Sequence, residues 1–180
     1  MLTIEELKEN EFKDLYEETE STKEKVYLKE TQIDTDFELL FPDAYINTVS
    51  ERLLLYNKLS TLKTEEELQV FESELIDRFG PLPKPALALL DSVRIKWIAT
   101  KLGLEKIILK KGKLVSYFIS DQQSSFYQSS TFAHVLQFVQ QNPSICTMKE
   151  KQTRNGLRLL LTFEHITSVK KALKILEKIV

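Results

Sequence analysis

The sequence predicts an α+β fold: a helical half, then two strand-strand-helix units forming a small mixed sheet covered by helices. Three observations predict it. Apolar residues recur at spacings of three and four between residues 47 and 102. After residue 103 the pattern changes to short runs rich in β-branched and aromatic residues, arranged in pairs around Gly112 and Asn155-Gly156. A single helical pattern follows each pair, so the order is strand-strand-helix twice.

The elements follow in order. Thr3 with Glu6 forms a capping box, and Ile4, Leu7, Phe12 and Leu15 predict a short helix over 4–16. Residues 17–24 are polar and read as a linker. Val26–Ile33 alternates in part and reads as a strand, and Phe37–Phe41 is a second extended piece that Pro42 halts. A helix is expected over 47–62, capped by Asn47 or Thr48, with Val49, Leu53, Tyr56 and Leu59 inward. Thr64 with Glu67 opens a second helix, and Leu68, Phe71, Leu75 and Phe79 form its apolar stripe. Gly80 suits the left-handed position past its end, and Pro81 forbids continuation. A third helix is expected over 84–102, with Leu87 or Ala86, Leu90, Val93 and Trp97 inward. Strands are expected over 105–110, 113–119, 145–151 and 157–163, and helices over 131–141 and 167–179. The domain reading is 1–24 as helix and linker, then 25–180 as one domain with halves 25–103 and 104–180.

The net charge of −2 conceals an asymmetry. Residues 1–45 carry fourteen acids and five bases, 46–102 carry eight of each, and 103–180 carry five acids and twelve bases. Such ends can attract each other or different partners, and solvated faces are the favoured reading. No apolar run approaches the ~18 residues that span a membrane, and the charged start has no signal-peptide core, so secretion is not expected. One cysteine fits a reducing cytoplasm.

Little in the chain points to catalysis. All four glycines are used by helix ends and hairpin turns, leaving none for a phosphate-cradling loop. His134 has no ligand-type residue at i+3 or i+4, and His165 stands alone. Cys146 lies in an apolar strand pattern and reads as a core residue. No catalytic residue, cofactor or metal is expected. The alternative class is a basic, sheet-containing nucleic-acid-binding module, because Tyr117, Phe118, Phe126, Tyr127 and Phe132 lie in the basic third. No RNA-binding motif accompanies them, and DNA contact by this chain is not expected.

What remains is a charged helix end. Glu74, Asp77 and Arg78 lie three and four residues apart, so they share one side of the second helix. On residue physics alone Glu74 and Arg78 read as an intrahelical surface ion pair worth ~0.3–0.5 kcal/mol. Three features favour a docking face: the rigid helix end, the fork-like guanidinium of Arg78, and the stiff Pro-Leu-Pro-Lys-Pro connection over 81–85.

The segment Glu74-Leu-Ile-Asp-Arg-Phe-Gly-Pro-Leu-Pro closely resembles the signature of the C-terminal module of the bacterial transcription-repair coupling factors. Phe41-Pro-Asp-Ala-Tyr-Ile, Glu51-Arg-Leu-Leu-Leu-Tyr, Lys63-Thr-Glu-Glu-Glu-Leu and Lys101-Leu-Gly-Leu-Glu-Lys-Ile match in order and spacing. The resemblance covers residues 30–108, and beyond 110 only element order and length fit. It implies a fragment of a larger ATP-driven DNA translocase that displaces stalled RNA polymerase and recruits excision repair through UvrA. The module would pack on the UvrB-like N-terminal module of the same protein and mask UvrA binding. Carried onto this sequence, Glu74, Asp77 and Arg78 make that contact, Leu75, Ile76 and Phe79 anchor the helix, and helix 4–16 is the remnant of the connection to the translocase.

Overall fold

In the computed structural model, which describes residues 26–180, the chain forms five α-helices and one five-stranded mixed sheet. The expected helix over 4–16 lies outside the described residues. Strand β1 (Gln32–Thr35) comes first, followed by helices α1 (Val49–Thr61), α2 (Glu65–Phe79) and α3 (Lys84–Lys101). Strands β2 (Leu104–Lys110) and β3 (Lys113–Phe118), helix α4 (Ser130–Gln141), strands β4 (Cys146–Thr153) and β5 (Gly156–Phe163), and helix α5 (Val169–Glu177) complete the fold.

The sheet order is β1-β2-β3-β5-β4. Each hairpin is local, and the two join where β3 runs antiparallel to β5, pairing Ser116 with Leu161. Strand β1 is the exception. It lies parallel to β2, Gln32 beside Lys106 and Ile33 beside Ile107, although three helices separate them in sequence. Buried Thr31 fixes this edge by donating its hydroxyl to Leu104 O at 2.7 Å.

Two apolar cores result. The larger lies under the sheet and takes Ile107, Leu109, Leu114, Phe118, Leu161 and Phe163 from the strands, with residues of α3, α4 and α5 over them. The smaller joins Phe41 and Ile46 to Leu55 and Leu59 of α1, Leu68, Phe71 and Leu75 of α2, and Ala86 and Leu90 of α3. Helix α3 is the partition: Ala86 and Leu90 face one core, and Ile95 and Ala99 face the other.

The helix ends agree with their chemistry. Thr64 Oγ1 accepts from the Glu67 N–H at 3.2 Å, while the Glu67 carboxylate accepts from the Lys63 N–H at 3.0 Å. Gly80 takes φ +88°. Gly103 takes φ +73°, and the Phe126 ring lies so close that a Cβ on Gly103 would stand 2.3 Å from it.

Two expectations are corrected and one choice is settled. On α1, Val49 and Leu53 point to solvent, and Leu55 and Leu59 face the core. Leu55 and Leu59 pack with Phe41, Ile46 and Phe71 in the smaller core, and on the same helix Arg52 donates to Ile46 O at 2.6 Å and sits 3.3 Å from Asp43. On α3, the expected choice between Leu87 and Ala86 falls to Ala86, which is buried. The first strand is shifted to Gln32–Thr35, because pairing with β2 rather than alternation fixes it.

A candidate charged docking face on helices α1 and α2

The face is built from a tyrosine outward. Tyr45 packs against Phe79, ring centroids 5.7 Å apart, and its hydroxyl lies 2.8 Å from Gly80 O and 3.2 Å from Leu75 O. Burial pushes the Tyr45 phenol above its usual range, so it stays a neutral donor. The last carbonyls of a helix have no intrahelical partner, and here a side chain satisfies one of them. Tyr45 itself is held by the turn at Pro42, whose carbonyl accepts from the Tyr45 and Ile46 N–H groups. Tyr56 Oη accepts from the Phe41 N–H at 2.8 Å, tying the same turn to α1.

Glu74, Asp77 and Arg78 all lie exposed on α2. Glu74 and Arg78 do not pair with each other. Lys58 of α1 donates to Glu74 Oε2 at 2.6 Å, and Arg78 donates to Glu51 of α1. Both bonds cross a shallow groove of about 250 Å³ whose floor is Leu55, Phe71 and Leu75. The Arg78 guanidinium also lies over the Phe79 ring at 4.7 Å. Asp77 has no ion-pair partner among the described residues, and successive turns carry it to the outward side of the helix. The four paired charges cancel, so Asp77 carries the net charge of the group.

Leu54 was not singled out by sequence and is the largest apolar side chain of the groove wall in solvent, 69% exposed. Its signal was available: an apolar residue beside the charged positions Glu51 and Lys58 of α1. Ile76, expected to anchor α2, is 43% exposed, whereas Leu75 is buried and Phe79 half-buried against the smaller core.

Behind the face, Arg94 of α3 grips Glu65 with three N–H···O contacts of 2.8–3.1 Å and Asp91 with one of 2.9 Å. The hydrogen bond from Arg94 holds the Glu65 carboxyl below its usual range. Among the described residues no group of three or more His, Cys, Asp or Glu side chains is arranged to hold a metal ion. No described helix is long and apolar enough to cross a membrane.

Fold and face together define a small α+β domain whose most organised polar feature is an interhelical charge network. The TRCF domain family matches residues 35–129, more than half of the chain, and the chain belongs to that family. It is 40% identical over 102 residues to the transcription-repair-coupling factor of Escherichia coli (strain K12), covering 57% of the chain and 9% of that protein. The corresponding factor of Buchnera aphidicola is 32% identical over 131 residues, covering 73% of the chain and 15% of that protein. The chain therefore spans a small fraction of the relatives' length. Among solved structures, the C-terminal domain of a transcription-repair coupling factor superposes with a TM-score of 0.62 at 16% identity, over 84% of this chain and 96% of that one. That likeness carries the α+β fold.

Proposed function

We propose that the chain is a non-catalytic regulatory domain of a transcription-repair coupling factor. It docks through Glu74, Asp77 and Arg78 on the UvrB-like N-terminal module of the same protein and masks UvrA binding until RNA polymerase is engaged. In this reading residues 1–24 are the connection to the translocase, and 25–180 are the docking domain in the cytoplasm. The observation that carries it is the fixed presentation of the three charges. Tyr45 pins the helix end at Gly80, Lys58 and Glu51 hold Glu74 and Arg78, and Asp77 projects with no ion-pair partner among the described residues.

A preordered polar face loses little side-chain entropy on docking and still separates readily. Both properties suit an intramolecular clamp, because tethering supplies a high effective concentration and a weak contact suffices. The test is titration calorimetry of the UvrB-like module against the domain and its Glu74→Ala/Asp77→Ala/Arg78→Ala variant. The variant is expected to keep the wild-type unfolding midpoint within a few degrees and lose at least tenfold in affinity. Unchanged affinity in the folded variant would sink the assignment. The same changes in the full factor are expected to expose UvrA binding.

A further inference from the structure

Helices cover only one face of the sheet. On the other, Ile108, Val115 and Tyr117 are partly exposed and belong to neither apolar core, and Leu160 beside them is 8% exposed. Register sets them side by side, Ile108 opposite Val115 and Tyr117 opposite Leu160, and strand alternation turns all four away from the helices. Six cations surround this strip on the same face: Lys106, Lys110, Lys113, Lys149, Lys151 and Arg158. Lys106 pairs with Tyr117, Lys149 with Leu160 and Lys151 with Arg158.

Three cations are already engaged. Lys110 lies 3.0 Å from Asp34, Lys113 3.5 Å from Glu164, and Arg158 3.0 Å from Glu105. Lys106, Lys149 and Lys151 have no carboxylate partner among the described residues. An apolar centre inside a cationic rim has the anatomy of a protein interface, and its charge calls for an acidic partner. A nucleic-acid surface is the weaker fit: the face carries one aromatic ring, Tyr117, and Arg158 already lies over it at 5.4 Å.

The chain supplies a matching segment. Residues 1–24 hold nine Asp/Glu against three Lys/Arg, and within them Ile4, Leu7, Phe12 and Leu15 form a helical-spaced apolar stripe among Glu5, Glu6, Glu9 and Asp14. The segment joins the described chain at Val26, five residues before Thr31 is bonded to the first residue of β2. Ten extended residues reach about 33–36 Å, whereas five strands at ~4.8 Å spacing are about 20 Å across. Tyr27 and Leu28 pack on the helix-covered side, so the segment must round the β1 edge before it reaches β2 and β3. We propose that residues 4–16 dock on this open sheet face, with the apolar stripe on Ile108, Val115, Tyr117 and Leu160. The carboxylates then lie against Lys106, Lys149 and Lys151. The α1–α2 face takes no part, so the inference does not rest on the proposed docking contact, and it gives part of the segment read there as the connection to the translocase a second role.

The test uses the full chain in solution. Nuclear Overhauser contacts are sought between the Phe12 ring and the methyl groups of Ile108, Val115 and Leu160. They are expected in the wild type, absent in Phe12→Asp, and at least halved in Lys149→Glu/Lys151→Glu or at 0.5 M salt. Restoring them with Glu5→Lys/Glu9→Lys in the lysine variant would support the charge pairing. Three results overturn the proposal. One is Phe12 contact with the groove at Leu28, Leu102 and Ile179 instead. Another is contact only between differently labelled molecules, which assigns the face to a second copy. The third is a wild type without Phe12 contacts whose Lys149, Lys151 and Tyr117 amides shift on adding a single-stranded oligonucleotide.

Discussion

Lys58 Nζ stands 2.6 Å from Glu74 Oε2, so a carboxylate of α2 is held by the neighbouring helix and not by Arg78 four residues along its own. This makes α1 part of any surface that includes Glu74. A partner reading Glu74 reads a charge already oriented from behind.

The first prediction concerns that support. Lys58→Ala and Glu51→Ala remove no residue of the proposed contact, yet both are expected to weaken binding to the UvrB-like module by about twofold to tenfold. Each exposed pair contributes only ~0.2–1 kcal/mol to folding, so urea midpoints are expected to move little. Calorimetry beside urea unfolding separates the two effects. A stability loss with unchanged affinity would count against α1 having a positioning role.

Tyr45→Phe tests the pin on the helix end. It keeps the ring packing on Phe79 and leaves Gly80 O without its donor. The expected cost is ~1 kcal/mol, with faster amide exchange over residues 78–80 and little change in β2 or β3. Exchange that rises equally in the sheet would show that the bond supports the whole domain instead of the helix end.

Gly103→Ala is expected to be among the most damaging single changes. The residue needs φ +73°, and its new methyl would meet the Phe126 ring. Strain and overpacking each cost about 1–3 kcal/mol, so a combined loss of roughly 2–5 kcal/mol is expected in denaturant unfolding. In a Phe126→Leu background the additional cost is expected to fall, because only the backbone strain remains.

The Glu65 carboxyl gives stability a pH dependence of known sign. Its folded value is lowered, first by the hydrogen bond from Arg94. Its contribution is therefore complete above the ordinary carboxylate value of ~4.3 and is lost as pH falls through the lowered folded value. Glu65→Gln is expected to lower the urea midpoint at pH 7 and to narrow the difference from wild type at pH 3. The group is half exposed, so the effect is a fraction of a kcal/mol.

Cys146 is 5% exposed, and burial pushes its thiol above the usual range. Iodoacetamide at pH 7.5 is expected to modify the folded chain at least tenfold more slowly than the chain in guanidinium. Equal rates would place the thiol at the surface.

Much of this architecture is legible in the residues. Thr64, Glu67 and Gly80 delimit α2 because caps act within a few residues, and Gly112 marks its hairpin for the same reason. On helix α1 polarity and position part company: Arg52 reaches Ile46 O and Asp43, while Val49 and Leu53 lie in solvent. The triplet on α2 was legible as a group, but its pairing was not. Lys58 and Glu51 lie 16 and 27 residues from their partners, and helix packing alone brings them together. Strand β1 escaped for a related reason, since its register is set by β2 some seventy positions later.

That remote register has a consequence for how the molecule comes apart. Strand β1 can join only after β2 exists, and its joining seals α1, α2 and α3 into a closed ring of chain. The three helices are thereby fastened to the sheet at both ends of their span. Loosening β1 would open the ring and leave the smaller core attached through α3 alone. The edge strand of four residues is thus the second tie between the two cores, and its loss is expected to let them melt separately.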